Sequence, residues 1–219
     1  MTALRAVVDD ANARSFTHRM RNRRFAWFEE RAARLGTPLR IIDIGGTTAF
    51  WEQRGWADRP GVEITLVNLK DEPQRRENIT PTVGDACRLE HDAGSFDLAF
   101  SNSVIEHLFT FGRQAAMADE IRRVARAYWV QTPNKRFPME PHFLAPGWQY
   151  LPMRVRVAAI QRWRVGQRGP CPDPQHARAT VAEVRLLTRS ELQILFPRAE
   201  LVPERLGGLV KSWTVAYGL

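Results

Sequence analysis

Apolar and polar positions along this 219-residue chain predict helices and strands in alternation. Apolar residues recur at helical spacing through residues 3–35, and Gly36-Thr37-Pro38 end that helix. Further along, the pattern predicts strands at 39–44, 62–69, 79–83, 95–101 and 127–132, and helices at 51–56, 113–126 and 188–196. This alternation is typical of an α/β fold with a parallel, doubly wound sheet and right-handed crossovers.

The first strand ends in the most informative segment of the sequence. The run Ile41 to Ile44 is nearly continuous in β-branched residues, as expected for a strand covered on both faces, and two glycines follow it. Ligands of doubly wound sheets bind beyond the carboxyl ends of the strands. The candidate binding residues at four such ends are Asp43, Gly45, Gly46 and Thr47, then Asn68 and Leu69, then Asp85 and Ala86, and finally Ser101 and Asn102.

Four motifs lie in a fixed order along the chain: Ile41-Ile42-Asp43-Ile44-Gly45-Gly46, Gly84-Asp85-Ala86, Ser95-Phe96-Asp97-Leu98 and Val104-Ile105-Glu106-His107. Together they resemble class I S-adenosylmethionine-dependent methyltransferases, and the type 11 small-molecule branch is the nearest match. The resemblance runs from about residue 19 to the end. It implies a Rossmann-like seven-stranded methyltransferase sheet with a lid insertion after strand five, a final antiparallel hairpin from 200–204 and 212–217, and S-adenosyl-L-methionine as cofactor.

The resemblance also implies roles at the methionine end of the cofactor. Gly45, Gly46 and Thr47 would pass beneath its amino acid part, and Ser101 or Asn102 would line the methionine side. The loop reads Gly-Gly-Thr where many family members have Gly-x-Gly. The Thr47 side chain must therefore be accommodated or must itself form a hydrogen bond.

At the adenosine end, Asn68 would face the ribose hydroxyls, and Asp85 with the Ala86 backbone would hold the adenine amino group. Asn68 stands where the family usually has an acidic residue. An amide can accept one hydrogen bond and donate another, but it lacks the charge-assisted strength of a carboxylate. A modest affinity for the cofactor is therefore expected.

A nicotinamide dehydrogenase is the competing interpretation of the same strand and glycine turn. Dinucleotide binding calls for Gly-x-Gly-x-x-Gly, whereas residues 45–50 read Gly-Gly-Thr-Thr-Ala-Phe. The chain also lacks a second dinucleotide-binding half. The methyltransferase interpretation is therefore favoured.

Transfer of a methyl group to a hydroxyl requires a base, and two histidines fall where the acceptor should lie. His107 stands at the expected start of the helix after strand four, beside Glu106, and His142 lies in the proline-rich segment 134–143 after strand five. Histidine has a pKa close to neutral and suits proton removal. The alternative for each is structural: His107 fixes its loop, and His142 braces an irregular turn.

The chain carries a net charge of +8, concentrated at residues 19–24 and in an arginine-rich amphipathic stretch at 154–168. Such faces can meet anionic substrates, acidic lipid headgroups or nucleic acid. We expect a small or amphiphilic acceptor, such as a sugar, a lipid-linked or a phenolic metabolite, with O-methylation favoured. The alternative is an RNA- or membrane-surface-binding protein, or an RNA methyltransferase. As partners, nucleic acid is possible but not favoured, and peripheral membrane contact is possible.

The organisation expected from the sequence is a single methyltransferase domain without a metal ion. Cys87 and Cys171 are far apart, and no run of about 18 apolar residues occurs, which together favour a cytoplasmic protein. Its predicted parts are an N-terminal helical cap at 1–36, a cofactor-binding half at 37–132, a lid or acceptor-binding segment at 133–188, and a C-terminal helix and hairpin at 189–219.

Overall fold

The computed structural model describes residues 16–219 except Gln167, with side chains from Arg19 onward. The chain divides into two compact units, one ending at Thr37 and also holding Leu219, the other Pro38–Gly218. In the first unit, helix α1 (Phe16–Ala32) passes into a 3₁₀ turn at Ala33–Leu35. The predicted helix is thus confirmed over this range, and its expected first part lies outside the described residues.

The second unit is built on a seven-stranded sheet in the order β3-β2-β1-β4-β5-β9-β8. Strands β1 to β5 pair in parallel, whereas β9 runs antiparallel to both β5 and β8. The strands are β1 (Leu39–Ile44), β2 (Val62–Asn68), β3 (Ile79–Val83), β4 (Phe96–Asn102), β5 (Ala125–Pro133), β8 (Glu200–Leu206) and β9 (Leu209–Tyr217). The doubly wound sheet and its final hairpin, with Glu200 opposite Ala216, are therefore as predicted.

Strand β1 lies at the centre of the parallel part of the sheet, between β2 and β4. Ile41, Ile42 and Ile44 are all buried, because helices or loops cover both faces of a parallel sheet. Strand order reverses between β1 and β4, so the carboxyl ends of these two strands bound a crevice that can hold a ligand.

Two helices cover one face of the sheet. Helix α3 (Phe111–Val124) begins at Thr110, whose side chain accepts a hydrogen bond from Arg113 N, and helix α6 (Arg189–Leu195) begins with a capping box formed by Thr188 and Glu191. Both helices contribute to one large buried cluster with the sheet. That cluster fixes the strand ends on which the site is built.

The segment between β5 and α6 forms a small structure of its own. It contains the two-stranded β6 (Met139–Glu140) and β7 (Ala145–Pro146), a 3₁₀ turn at Trp148–Tyr150, and helices α4 (Met153–Arg162) and α5 (Pro174–Ala182). These elements bury a satellite core made by Phe143, Trp148, Ile160, Ala177 and Val181. The apolar residues of the predicted lid therefore pack with one another.

Several predicted boundaries were wrong. The short helix expected at 51–56 is α2 (Thr48–Glu52), because the Thr47 side chain caps it by accepting from Phe50 N. His107 does not begin a helix; it ends a 3₁₀ turn at Ile105–His107. Among the described helices, none combines the length and the apolar composition needed to span a bilayer.

Candidate active site

The glycine loop after β1 is shaped by two close neighbours. Gly45 has a φ of 81°, a left-handed conformation that favours glycine, and a Cβ there would press on the Val104 side chain. A Cβ on Gly46 would collide with the Asp43 carboxylate. Both glycines are therefore required by the packing of the loop itself.

Asp43 and Ser101 lie beneath this loop. The Asp43 carboxylate accepts a hydrogen bond of 2.8 Å from Trp51 Nε1, and burial raises the pKa of Asp43 to about 7. Ser101 is fully buried and donates to the carbonyl oxygen of Ile44. Both side chains are thus buried and hydrogen-bonded within the protein, and their contact with the cofactor stays a prediction.

Thr47 and Asn68 complete the loop, and both residues depart from the family pattern. The Thr47 side chain is accommodated as the cap of α2. Asn68 donates from Nδ2 to the carbonyl oxygen of Gly46 at 2.8 Å, which ties the end of β2 to the loop. Its Oδ1 can still accept a bond from a ribose hydroxyl.

The ends of β2 and β3 offer apolar side chains to solvent. Leu69, which follows β2, is 77% exposed, and Val83, the last residue of β3, is 63% exposed. An aromatic base is largely apolar on its faces, so two such side chains at one edge of the sheet suit an adenine ring. The acidic Asp85 follows directly after β3.

Asp85 is already engaged on two sides. It accepts from Cys87 N, and it forms a bidentate ion pair with Arg113, both oxygens lying 3.0 Å from Nη2. The bond from Cys87 and then the Arg113 guanidinium lower the pKa of Asp85, so the carboxylate stays charged. It retains capacity to accept one further bond from an adenine amino group. The donor set around the loop thus fits S-adenosylmethionine.

The two candidate histidines meet on the other side of the crevice. His107 follows β4 and His142 follows β6, yet their rings lie 4.8 Å apart in an edge-to-face arrangement. Val104, which packs against Gly45, immediately precedes the turn that carries His107. The pair therefore lies beside the methionine end of the expected cofactor site.

The two histidines differ in their surroundings. Burial and the neighbouring His142 lower the pKa of His107, whose Nδ1 lies 3.7 Å from Glu183 Oε1. Burial alone would also lower the pKa of His142, but the hydrogen bond from its Nδ1 to Glu140 at 2.7 Å and the charges of Glu140 and Glu106 raise it above the usual value. These shifts favour the neutral form of His107 and the protonated form of His142.

Glu106 is the least accessible member of this group. It has no exposed surface, it accepts from the Thr132 hydroxyl at 3.0 Å, and its Oε1 lies 4.0 Å from His142 Nε2 without a hydrogen-bond partner in the described structure. Burial raises the pKa of Glu106 to about 7. The carboxyl therefore changes charge in the range in which histidine does.

A cavity of about 570 Å³ adjoins the histidines through Glu183. Its other lining residues include Arg168, which forms an ion pair with Glu183, and the turn at 169–173. The hydrogen bond from Arg168 lowers the pKa of Glu183. The turn at 169–173, within the predicted lid segment, is thus one wall of a cavity beside the site.

Glu106, His107 and His142 also form a potential metal-binding group, with one ligand atom from each within 4.8 Å of the others. The sequence contained no recognisable metal-ligand spacing, because 35 residues separate His107 from His142 along the chain. The expectation that the chain offers no metal-ligand cluster was therefore wrong.

Sequence reasoning missed most partners of the site. Glu140, Glu183, Arg113 and Thr132 each contact a candidate residue, and none had been assigned a role. Only Glu140 could have been found from the sequence, because it lies two residues before His142 and both side chains belong to one turn. The others come from distant segments.

Comparison with known proteins supports the fold and the family that the motifs predicted. Residues 44–127 match the protein family described as a methyltransferase domain. Over this segment the chain is similar to methyltransferases. The sheet order agrees with the class I, S-adenosylmethionine-dependent fold that the motifs predicted.

Solved structures share the fold of the methyltransferase domain. They include an S-adenosylmethionine-dependent methyltransferase from Aquifex aeolicus (10% identity, TM-score 0.51, covering 88% of this chain and 87% of that one). The PH0226 protein from Pyrococcus horikoshii OT3 is 15% identical with a TM-score of 0.54, covering 95% and 92%. The N-terminal domain of EvdMO1 is 18% identical with a TM-score of 0.52, covering 90% and 81%.

Two curated relatives, both uncharacterized proteins of Mycobacterium tuberculosis strains, are 27% identical to this chain over 167 residues. The alignment covers 69% of this chain and 55% of each relative. The methyltransferase chain thus spans about half the length of the curated relatives that it matches.

Proposed function

We propose that this domain methylates a hydroxyl group of a small or amphiphilic acceptor, with His107 as the base that takes the hydroxyl proton. The observation that carries the proposal is the contact between His107 and His142 beside the glycine loop, with surroundings that lower the pKa of His107 and raise that of His142. Two titratable groups whose surroundings push their pKa values apart are typical of acid–base chemistry.

S-adenosylmethionine, when bound, supplies a sulfonium methyl group that a nucleophile can displace in line. The protein then has to place the acceptor oxygen and remove its proton. His107 is unprotonated near pH 7, because burial and the charge on His142 disfavour its cationic form. Its ring can therefore take the proton as the oxygen attacks.

His142 acts as a positioning residue in this proposal. Glu140 accepts a hydrogen bond from Nδ1 of His142 and so fixes the ring. Nε2 then faces Glu106, and the ring lies edge to face with His107. The positive charge of His142 disfavours a second cation on His107 in the resting site. Glu140 thereby sets the protonation of both histidines.

The acceptor class is supported by the surroundings of the site. The cavity beside Glu183 can hold a sugar-sized group, and its wall joins the arginine-rich segment. The EvdMO1 domain was crystallised in the presence of S-adenosylhomocysteine and D-fucose. Sugars are therefore the first acceptors to test.

A quantitative test measures the formation of S-adenosylhomocysteine from S-adenosylmethionine in the presence of candidate acceptors. The panel of acceptors contains sugars, sugar phosphates, lipid-linked sugars and phenols. We expect His107→Gln to lower kcat by about 100- to 10,000-fold, the usual contribution of a general base. His91→Gln is the matched control, since His91 packs on Phe96 at the opposite end of β4.

The pH dependence separates a catalytic from a structural role of His107. Because its pKa is lowered, kcat/KM should reach its plateau below the pH expected for an ordinary histidine. Imidazole should partly restore activity to His107→Ala. Equal losses in the His91 and His107 variants, or an unchanged pH profile in His107→Gln, would contradict the assignment.

The outer face of α4 favours an amphiphilic acceptor and peripheral contact with an anionic lipid surface. Arg154, Val155 and Arg162 are exposed on that face, and Trp163 beyond its end is 63% exposed. Basic and apolar side chains together bind anionic membranes. The protein should cosediment with vesicles that contain phosphatidylserine but not with vesicles of phosphatidylcholine alone. Trp163→Ser should weaken the binding to phosphatidylserine vesicles. Equal binding to both vesicle types would contradict the assignment of this surface.

A further inference from the structure

We propose that Arg156 binds an anionic group, a carboxylate or a phosphate, of the methyl acceptor. The inference rests on the proposed function for the identity of the ligand, but its physical basis is separate. It is the half-buried position of a guanidinium that makes no ion pair within the described structure.

Arg156 lies on the inner side of α4. It stands four residues before Ile160, so the two side chains share one face of the helix, and Ile160 is fully buried in the satellite core. Arg154, two positions earlier, is exposed on another face. The helix thus directs one arginine inward and one outward.

One hydrogen bond of the Arg156 guanidinium is unmet. Its Nε is buried and has no hydrogen-bond partner, and among the described residues no carboxylate forms an ion pair with Arg156. A charge partly removed from water without a partner is costly, and burial accordingly lowers the pKa of Arg156. A ligand anion would remove that cost by pairing with it.

Within the described structure, Glu140 forms no hydrogen bond or ion pair with Arg156 and acts on it through charge alone. The two carboxylate oxygens of Glu140 accept from His142 and from Phe143 N instead. The charge interaction links Arg156 to the site, since Glu140 holds the ring of His142. An anion on Arg156 would therefore sit beside the histidine pair.

The surrounding sequence favours an anion over a neutral ligand. Residues 141–172 contain five arginines, Arg154, Arg156, Arg162, Arg164 and Arg168, and no aspartate, glutamate or lysine. Arg168 is compensated by Glu183, whereas Arg156 is not. A guanidinium binds carboxylate and phosphate through two parallel hydrogen bonds, which would also orient the acceptor.

The test uses ligand-observed NMR on the full chain with three probes that share a phenyl ring: phenyl phosphate, benzoate and the neutral benzamide. The variants are Arg156→Gln, Arg156→Lys and, as the matched control, Arg154→Gln. In the native protein and in Arg154→Gln, we expect at least one anionic probe to bind about tenfold more tightly than benzamide, consistent with one charge-assisted contact. The preferred anion identifies a phosphate or a carboxylate.

Arg156→Gln should abolish the preference for the anionic probe, and Arg156→Lys should retain part of it. An unchanged preference in Arg156→Gln, or an equal loss in Arg154→Gln, would overturn the proposal. Calorimetric binding of S-adenosylhomocysteine to the same four proteins serves as a separate readout. Its absence would refute the methyltransferase function while leaving the result on Arg156 standing.

Discussion

Glu106→Gln gives the sharpest test of the buried carboxyl at the centre of the site. Burial raises the pKa of Glu106 from 4.5 to about 7, so the folded protein holds this proton more tightly than the unfolded chain does. The stabilising contribution is fully present below pH 4.5 and is lost as the pH rises through about 7. Glutamine cannot ionise and does not lose it.

The magnitude follows from the displacement of the pKa. A difference of about 2.5 pKa units corresponds to about 3 kcal/mol of unfolding free energy. We therefore expect the stability of Glu106→Gln relative to the native protein to rise by about 3 kcal/mol between pH 4.5 and about pH 8.5. The Thr132 hydroxyl can still donate to the amide oxygen, so the packing is kept.

Urea unfolding followed by tryptophan fluorescence, at a series of pH values, measures this difference. Glu120→Gln is the control of opposite sign, because the bond from Arg123 lowers the pKa of Glu120. That variant should lose relative stability as the pH rises from below the lowered pKa of Glu120 to about 4.5, and the difference should stay constant at higher pH. If the difference in unfolding free energy between Glu106→Gln and the native protein did not change with pH, the reasoning that ionisation of this buried carboxyl destabilises the fold would be refuted.

Further predictions concern the loop, the cofactor and the histidine pair. Gly46→Ala should destabilise the fold by about 1–3 kcal/mol in urea unfolding, because its Cβ would meet Asp43, whereas Gly112→Ala, at an open helical position, should be neutral or stabilising. Asp85→Ala should weaken calorimetric binding of S-adenosylhomocysteine by about 10- to 100-fold, while NAD should not bind to either protein; unchanged binding would exclude Asp85 from the site. Zn²⁺ should inhibit methyl transfer and EDTA should restore it, because the ion competes with the proton for nitrogens of the group around His107; insensitivity to Zn²⁺ would argue against that geometry.

Much of the fold was predictable because its signals are local. β1 and β3 were predicted with the bounds observed. For β1 the reason is that a strand buried on both faces is a nearly continuous apolar run. The starts of α2 and α3 were missed by three and two residues because Thr47 and Thr110 cap them with side-chain bonds. Capping depends on backbone geometry that hydrophobic spacing does not encode.

The candidate site was predictable in its location but not in its chemistry. Motif order placed the glycine loop, Asn68 and Asp85 at strand ends. It did not reveal that Asp43 supports the loop, since burial decides whether a carboxylate reaches a ligand.

The sequence by itself determined the strands of the parallel sheet and the edge at which a cofactor is expected, because apolar runs and glycine turns are properties of neighbouring residues. Only the tertiary structure decided the order of the strands, which histidine has a lowered pKa, which carboxyl has a raised one and which arginine faces inward. The last three properties depend on Glu140, Glu106 and Ile160, which lie near their partners in space through the folding of separate elements. Charge and burial act through distance in three dimensions, and sequence spacing does not fix that distance.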